Sequence, residues 1–239
     1  MTEVKVYPSK SALIAAAQEF IIDKIQNTIN QKGICTIALA GGSTPKPIYE
    51  AIALSDLSWE KIHVFWGDER YVPPTHADSN QKMAKEAWLD KVDIPAENIH
   101  PMPTSAENPQ DDALKHEEEI RQFFNSAQDF PSFDIILLGM GDDGHTASLF
   151  PHTQALENTE NLVTVGNRGE SLRLTFSAPL INAAHCVIFL VSGSNKQNAL
   201  KEVFSEDSNP HEYPSKMIQP QGELIWFADS DAVGELALN

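Results

Sequence analysis

Residues 134–150, DIILLGMGDDGHTASLF, hold the densest set of groups able to move a proton: Asp142, Asp143 and His145 stand among Gly139, Gly141 and Gly144. Histidine is the side chain whose ordinary pKa lies nearest neutrality, so it can take up and return a proton at cellular pH. Asp143, two residues away, is close enough to orient the ring or stabilise its charge. The pattern points to general-base chemistry. The plain alternative makes the two aspartates turn residues and His145 a helix cap. The glycine density and three further stretches of similar character favour the chemical reading.

An imidazole in a loop does chemistry only if rigid elements hold it. Ile135–Leu138 is apolar, too short for a helix and rich in strand formers, and Thr146–Phe150 resumes a compact, helix-compatible pattern. The rest of the chain alternates strand and helix patterns. Strands are expected at Val4–Tyr7, Ile34–Ala40, Ile62–Trp66, Leu162–Val165, Leu172–Phe176, Cys186–Val191 and Leu224–Phe227. A helix is expected over 11–31, where Leu13, Ala16, Ala17, Phe20, Ile21, Ile25 and Ile29 recur at helical spacing between a serine cap and the stop at Gly33. Further helices are expected from Pro45 through about Leu54, over Ser79–Leu89, near 110–125 and over 195–204, with one turn at Ser177–Asn182 and a short terminal helix at 231–237. Residues 90–108 read as irregular and 205–215 as a polar loop. On the acidic helix, Asp111, Asp112, Glu117, Glu118 and Glu119 read as a solvated face. The alternation predicts an α/β fold: a mostly parallel sheet with helices on both faces.

Composition narrows the function classes. The chain has 239 residues, 41% of them hydrophobic, enough for a packed core. Its net charge of -17 argues against nucleic acid or an anionic membrane as partner, since both need clustered cations. The same charge repels a phosphorylated substrate at long range, so any phosphate site must be local. Cys35 and Cys186 lie in apolar runs and read as buried free thiols of a reducing compartment. The N-terminal MTEVKVYPSK has no apolar signal core and no segment reaches membrane-spanning length, so a cytoplasmic location is expected.

Four apolar strands end in polar or glycine-rich stretches: TIALA-GGST, HVFWG-DER, ILLGMG-DDGH and IFLVS-GSNK. In an open α/β sheet, ligands bind beyond the carboxyl ends of the strands, and parallel strands bring all four stretches to one edge. GGSTP suits a phosphate. Gly41 and Gly42 let backbone N–H groups approach, Ser43 and Thr44 supply hydroxyls, and the helix near Pro45 directs its N-terminus at the anion. Thr44 as a simple N-cap, with Pro45 as first helical residue, is compatible with that role. The spacing is neither that of a P-loop nor G-x-S-x-G, which argues against a serine nucleophile. Arg70 offers a planar fork for phosphate oxygens, with Asp68 and Glu69 either pairing with it or lining the pocket. Lys196 is a second cation at a helix start, and Arg173 sits on a strand that can face either way. Asp142, Asp143, His145 and His152 match no familiar metal-ligand spacing.

Together these stretches resemble the 6-phosphogluconolactonase family. The resemblance rests on LAGGSTPKPIYEAI, FWGDERYVPPTHADSN, LGMGDDGHTASLFP, RLTFSAPLINAA and VSGSNKQNAL, and spans most of the chain, which is accordingly read as one domain, 1–239. It implies a Rossmann-like α/β fold, 6-phospho-D-glucono-1,5-lactone as substrate, and no required cofactor. It leaves oligomeric state open, with a monomer or weak homo-oligomer expected. Carried over by position, His145 resembles the general base that draws a proton from attacking water, and Asp143 its orienting partner. Backbone N–H groups of the glycine turns or Arg173 would meet the oxyanion. Ser43, Thr44, Arg70 and Lys196 would hold the phosphate, and Asn80 would reach a sugar hydroxyl. GGSTP also resembles the related glucosamine-6-phosphate isomerases/deaminases. Those resemble D-E-Y where this chain has Asp68, Glu69 and Arg70, and carry a carboxylate where this chain has Phe150. A non-catalytic sugar-phosphate sensor usually carries a DNA-binding segment; only about 30 residues precede the GGSTP strand and the chain's net charge is -17, so nothing here would serve, and a sensor has no use for His145.

Overall fold

The apolar runs form the middle of the molecule. The computed structural model describes residues 2–236 of the chain. In order these form β1 (Thr2–Tyr7), α1 (Lys10–Lys32), β2 (Cys35–Leu39), α2 (Lys46–Ile52), β3 (Ile62–Trp66), β4 (Asp68–Arg70), α3 (Asn80–Ala87) and α4 (Pro109–Phe124). There follow β5 (Ile135–Gly139), β6 (Val163–Arg168), β7 (Ser171–Phe176), α5 (Ala178–Asn182), β8 (Cys186–Val191), α6 (Gln197–Phe204), β9 (Glu223–Asp229) and α7 (Ser230–Val233). The expected terminal helix is thus α7, shorter than read; position 237 lies outside the described residues.

Six strands make one parallel sheet in the order β1-β9-β8-β5-β2-β3. Successive side chains of a strand point to opposite faces. In β5, Ile135 and Leu137 join Leu13, Ile21 and Trp88 on one side, while Ile136 and Leu138 join Ile120, Phe133 and Phe189 on the other. Both faces are therefore covered, as the unbroken apolar strands require. Each fully buried Leu, Ile or Phe contributes about 1.5–3 kcal/mol relative to exposure. The long α1 starts at Ser9, whose hydroxyl accepts from the Ala12 N–H at 3.2 Å, and ends at Gly33 (φ 87°), whose N–H returns to the Ile29 carbonyl. Cys35 and Cys186 are buried free thiols; burial pushes the Cys186 thiol up to about 12. Among the described residues, no helix is long and apolar enough to cross a membrane.

Four local expectations are corrected. The DER stretch does not simply trail β3. Gly67 turns the chain, and Asp68–Arg70 becomes a strand of a second, antiparallel sheet ordered β4-β7-β6. The two sheets are joined at Gly67, whose N–H donates to Leu39 O (2.9 Å) and whose carbonyl accepts from Phe176 N (2.8 Å). Thr146–Phe150 is not helical: Ala147 has φ 47° and a bridge pairs Thr146 with Leu149, closing a tight turn. Thr44 makes no capping bond to α2, which begins at Lys46 behind an unassisted Pro45. The acidic face of α4 is only partly solvated. Asp112, 4% exposed, accepts from Tyr71 Oη (2.6 Å) and the Ser105 and Ala106 N–H groups. Glu117 accepts from Arg121 and from Leu162 N. Both carboxylates fasten loops to the helix, which charge counting on a helical face does not reveal.

Candidate active site

After β2 the chain moves to β3 on one side of the sheet; after β5 it moves to β8 on the other. The order therefore reverses between β2 and β5, where diverging connections leave a crevice at the carboxyl edge. A cavity of about 190 Å³ lies there, walled by Gly41 after β2, Gly139 and Gly141 after β5, Lys196 after β8, and Asp68, Arg70 and Arg173 from the small sheet. Asn80 and His145 also face it. A larger groove of about 570 Å³ runs along α4; of its two acidic wall residues, Glu119 is occupied by His100 and His116, at 2.9 and 3.0 Å. The smaller cavity is the one that gathers a histidine, two arginines and a lysine.

The glycine turn builds an acid–base pair. Gly141 N–H donates to the His145 carbonyl (2.8 Å), and Gly144 N–H to the Gly141 carbonyl (3.2 Å). The loop curls so that His145 Nδ1 lies 2.5 Å from Asp143 Oδ1, which also accepts from the His145 backbone N–H at 3.1 Å. A Cβ on residue 141 would sit 2.0 Å from that Nδ1 and 2.5 Å from Asp143 Oδ1, so only glycine leaves room for the pair. Partial burial pushes the Asp143 carboxyl up, but the hydrogen bonds from the His145 ring and backbone outweigh it and hold it down to about 2. With Nδ1 turned to Asp143, Nε2 is the ring nitrogen left available for proton transfer. Asp142 is exposed and stands apart.

Phe150 packs its ring 4.4 Å from the His145 ring, centroid to centroid, and 5.4 Å from the Arg173 guanidinium. Arg173 lies directly opposite Arg70 in the small sheet. Burial, with the neighbouring Arg70 and Arg168 cations, pulls Arg173 below its usual value against the opposing pull of Asp68. The Nε atoms of Arg70 and Arg173 are both buried without a partner. Two adjacent guanidiniums with unspent donors suit anionic groups, in a chain of net charge -17.

Asp68, 6% exposed, accepts from Ser148 Oγ (2.6 Å) and Asn80 Nδ2 (3.3 Å). Asn80 also donates to the Asp68 carbonyl at 2.9 Å, while its Oδ1 is buried and unpartnered. That amide fills the space beside Gly41, where a Cβ would lie 1.9 Å from Oδ1. Glu69, 3% exposed, neither lines the cavity nor pairs with Arg70's guanidinium. It accepts from the Arg70, Asn80 and Gln81 N–H groups (2.7–2.8 Å) and from Ser79 Oγ (3.0 Å), clamping β4 to the start of α3. Desolvation outweighs these bonds and raises its carboxyl above the usual value.

The structure thus brings Gly41, Asp68, Arg70, Asn80, His145, Arg173 and Lys196 to one cavity, with Asp143 behind His145. Gly42, Ser43 and Thr44 are not part of its wall; Gly42 and Ser43 are exposed. Sequence reading missed Ser148 and the 205–217 loop, whose Ser215 N–H donates to the Gly144 carbonyl at 2.8 Å and whose Tyr213 packs on Gly144. Neither carries a local signal. Among the described residues no group of three or more His, Cys, Asp or Glu is placed to hold a metal ion.

The sequence model described as glucosamine-6-phosphate isomerases/6-phosphogluconolactonase matches residues 8–226. The chain belongs to this family. It is 57% identical over 236 residues to a 6-phosphogluconolactonase of Nostoc sp., covering 98% of each chain. It is also 57% identical over 231 residues to one from Synechocystis sp., covering 96% of each. The solved structure of the Trypanosoma brucei 6-phosphogluconolactonase superposes with a TM-score of 0.86 at 31% identity, covering 99% of both chains.

Proposed function

We propose that this chain is a lactonase that hydrolyses 6-phospho-D-glucono-1,5-lactone to 6-phospho-D-gluconate, in the oxidative branch of the pentose phosphate pathway. The observation that carries the chemistry is the 2.5 Å contact of Asp143 with His145 Nδ1 at the wall of a cationic cavity. His145 Nε2 takes a proton from water as the water oxygen attacks C1. The C1–ring oxygen bond then breaks, and the imidazolium gives its proton to that oxygen as the ring opens. Asp143 holds the ring and offsets its positive charge. Arg173 and backbone N–H groups of the glycine turn face the oxyanion. Arg70 and Lys196 hold the phosphate, with the Gly41–Thr44 loop at the rim supplying N–H and hydroxyl donors. Asn80, with its spare Oδ1, and Asp68 receive sugar hydroxyls.

The isomerase/deaminase reading fits less well. It requires a further proton carrier beside the histidine, and the ring that packs against His145 is the phenyl of Phe150. We further read the chain as one domain, since strands from Thr2–Tyr7 to Glu223–Asp229 share one sheet. We read it as acting in the cytoplasm on a small sugar phosphate, without nucleic acid. The test is an assay of lactone hydrolysis corrected for the spontaneous rate, run beside ammonia release from glucosamine 6-phosphate. Fast hydrolysis without ammonia supports the lactonase; comparable ammonia release overturns it.

A further inference from the structure

The lactone is neutral at C1, but hydrolysis leaves a carboxylate there, so the product carries an anion at each end. The cavity's cations are Lys196 after β8 and, on the small sheet, the facing pair Arg70 and Arg173, of which Arg173 lies against the Phe150 ring that also packs on His145. A further arginine, which no motif singled out, stands outside the cavity wall against the same phenyl ring. Arg168 ends β6, and its guanidinium carbon lies 5.9 Å from the Phe150 ring centroid. It is exposed, and its side chain has no hydrogen-bond or ion-pair partner among the described residues. It is near enough to Arg173 for the two cations to repel.

Its position is built. β6 and β7 pair from Val163↔Phe176 to Arg168↔Ser171, and the two residues between them form a tight turn with Gly169 at φ 59°. Gly166 lies opposite Arg173 in that register, so Arg168, two residues on, shares its face of the small sheet. Like charges gathered around one phenyl ring, with Arg168 lacking an ion-pair partner of its own, are stabilised by an arriving anion.

We infer that Arg168 is an anion-binding residue at the reacting end of the cavity, which with Arg173 receives the carboxylate formed at C1. This rests on the lactonase reading and adds, to the phosphate grip of Arg70 and Lys196, a cation for the other end of the product. It is tested by calorimetric titration of wild type, Arg168→Gln and Arg168→Lys with 6-phosphogluconate and, separately, with inorganic phosphate. Because Arg168 is exposed at a hairpin tip, both variants are expected to melt with the wild type. Loss of one charge-assisted contact is expected to weaken 6-phosphogluconate binding about tenfold in Arg168→Gln. Inorganic phosphate should change by less than about twofold, and Arg168→Lys should recover most of the loss, since the cation is retained. Equal weakening of both ligands assigns Arg168 to the phosphate and overturns the inference, as does no change in either. Binding is read without turnover, so a wild type that fails to hydrolyse the lactone refutes the preceding reading separately.

Discussion

Replacing Gly141 by alanine isolates the acid–base pair from the fold. The added Cβ would lie 2.0 Å from His145 Nδ1, 2.3 Å from Cε1 and 2.5 Å from Asp143 Oδ1, where real contacts stay beyond 3.0 Å. The imidazole must therefore retreat by about 1 Å, which breaks its short contact with Asp143 and carries Nε2 off its line to the water. A displacement of that size at a reacting group costs on the order of 10²-fold in rate. Gly141 is not among the positive-φ residues, so alanine is conformationally allowed and strain is confined to the pair. Gly141→Ala is expected to lose about a hundredfold in kcat for lactone hydrolysis, to keep KM within about threefold, and to remain folded by circular dichroism. A folded variant within threefold of wild-type kcat refutes the claim that this turn exists to seat His145 against Asp143.

Arg70→Ala and Lys196→Ala should each raise KM by roughly tenfold to a hundredfold, because a partly buried charged hydrogen bond contributes about 1.5–3 kcal/mol; unchanged binding of inorganic phosphate in both would move the phosphate elsewhere. The Asp143 carboxyl is held down to about 2 in the fold and returns to its ordinary value when the chain unfolds. Its stabilising contribution is therefore present above roughly pH 4 and lost as pH falls toward about 2. The melting-temperature gap between wild type and Asp143→Asn should narrow across that window, and a gap independent of pH would contradict the assignment. Activity should survive exhaustive chelation, since a base and oxyanion donors suffice; loss restored by one divalent ion would require a metal.

The parallel sheet was legible because buried strands such as CVIFLV and IILL announce themselves by β-branched apolar runs bounded by glycine or polar turns. The switch-point cavity followed from parallel strands ending in four polar stretches. What stayed hidden depends on contacts distant in sequence. The Asp68–Arg70 strand is only three residues long and becomes a strand by pairing with Arg173–Thr175, about a hundred positions later. Ser148 looks like any loop serine until its hydroxyl meets Asp68 at 2.6 Å. Glu69 reads as a partner for Arg70, but its carboxylate takes backbone N–H groups at the start of α3. Arg168 carries no motif, and only the β6–β7 register brings it beside Arg173. Ser43 and Thr44 show the reverse: a recognisable motif whose hydroxyl residues are not part of the cavity wall.

The central claim is that His145 is the base that activates water against a lactone. Single-turnover hydrolysis of 6-phosphogluconolactone by wild type and His145→Gln, corrected for the spontaneous reaction, addresses it directly. The account predicts that the folded variant loses at least about two orders of magnitude in the chemical step while binding 6-phosphogluconate nearly as well as wild type. A His145→Gln protein that hydrolyses the lactone at close to the wild-type rate would contradict it.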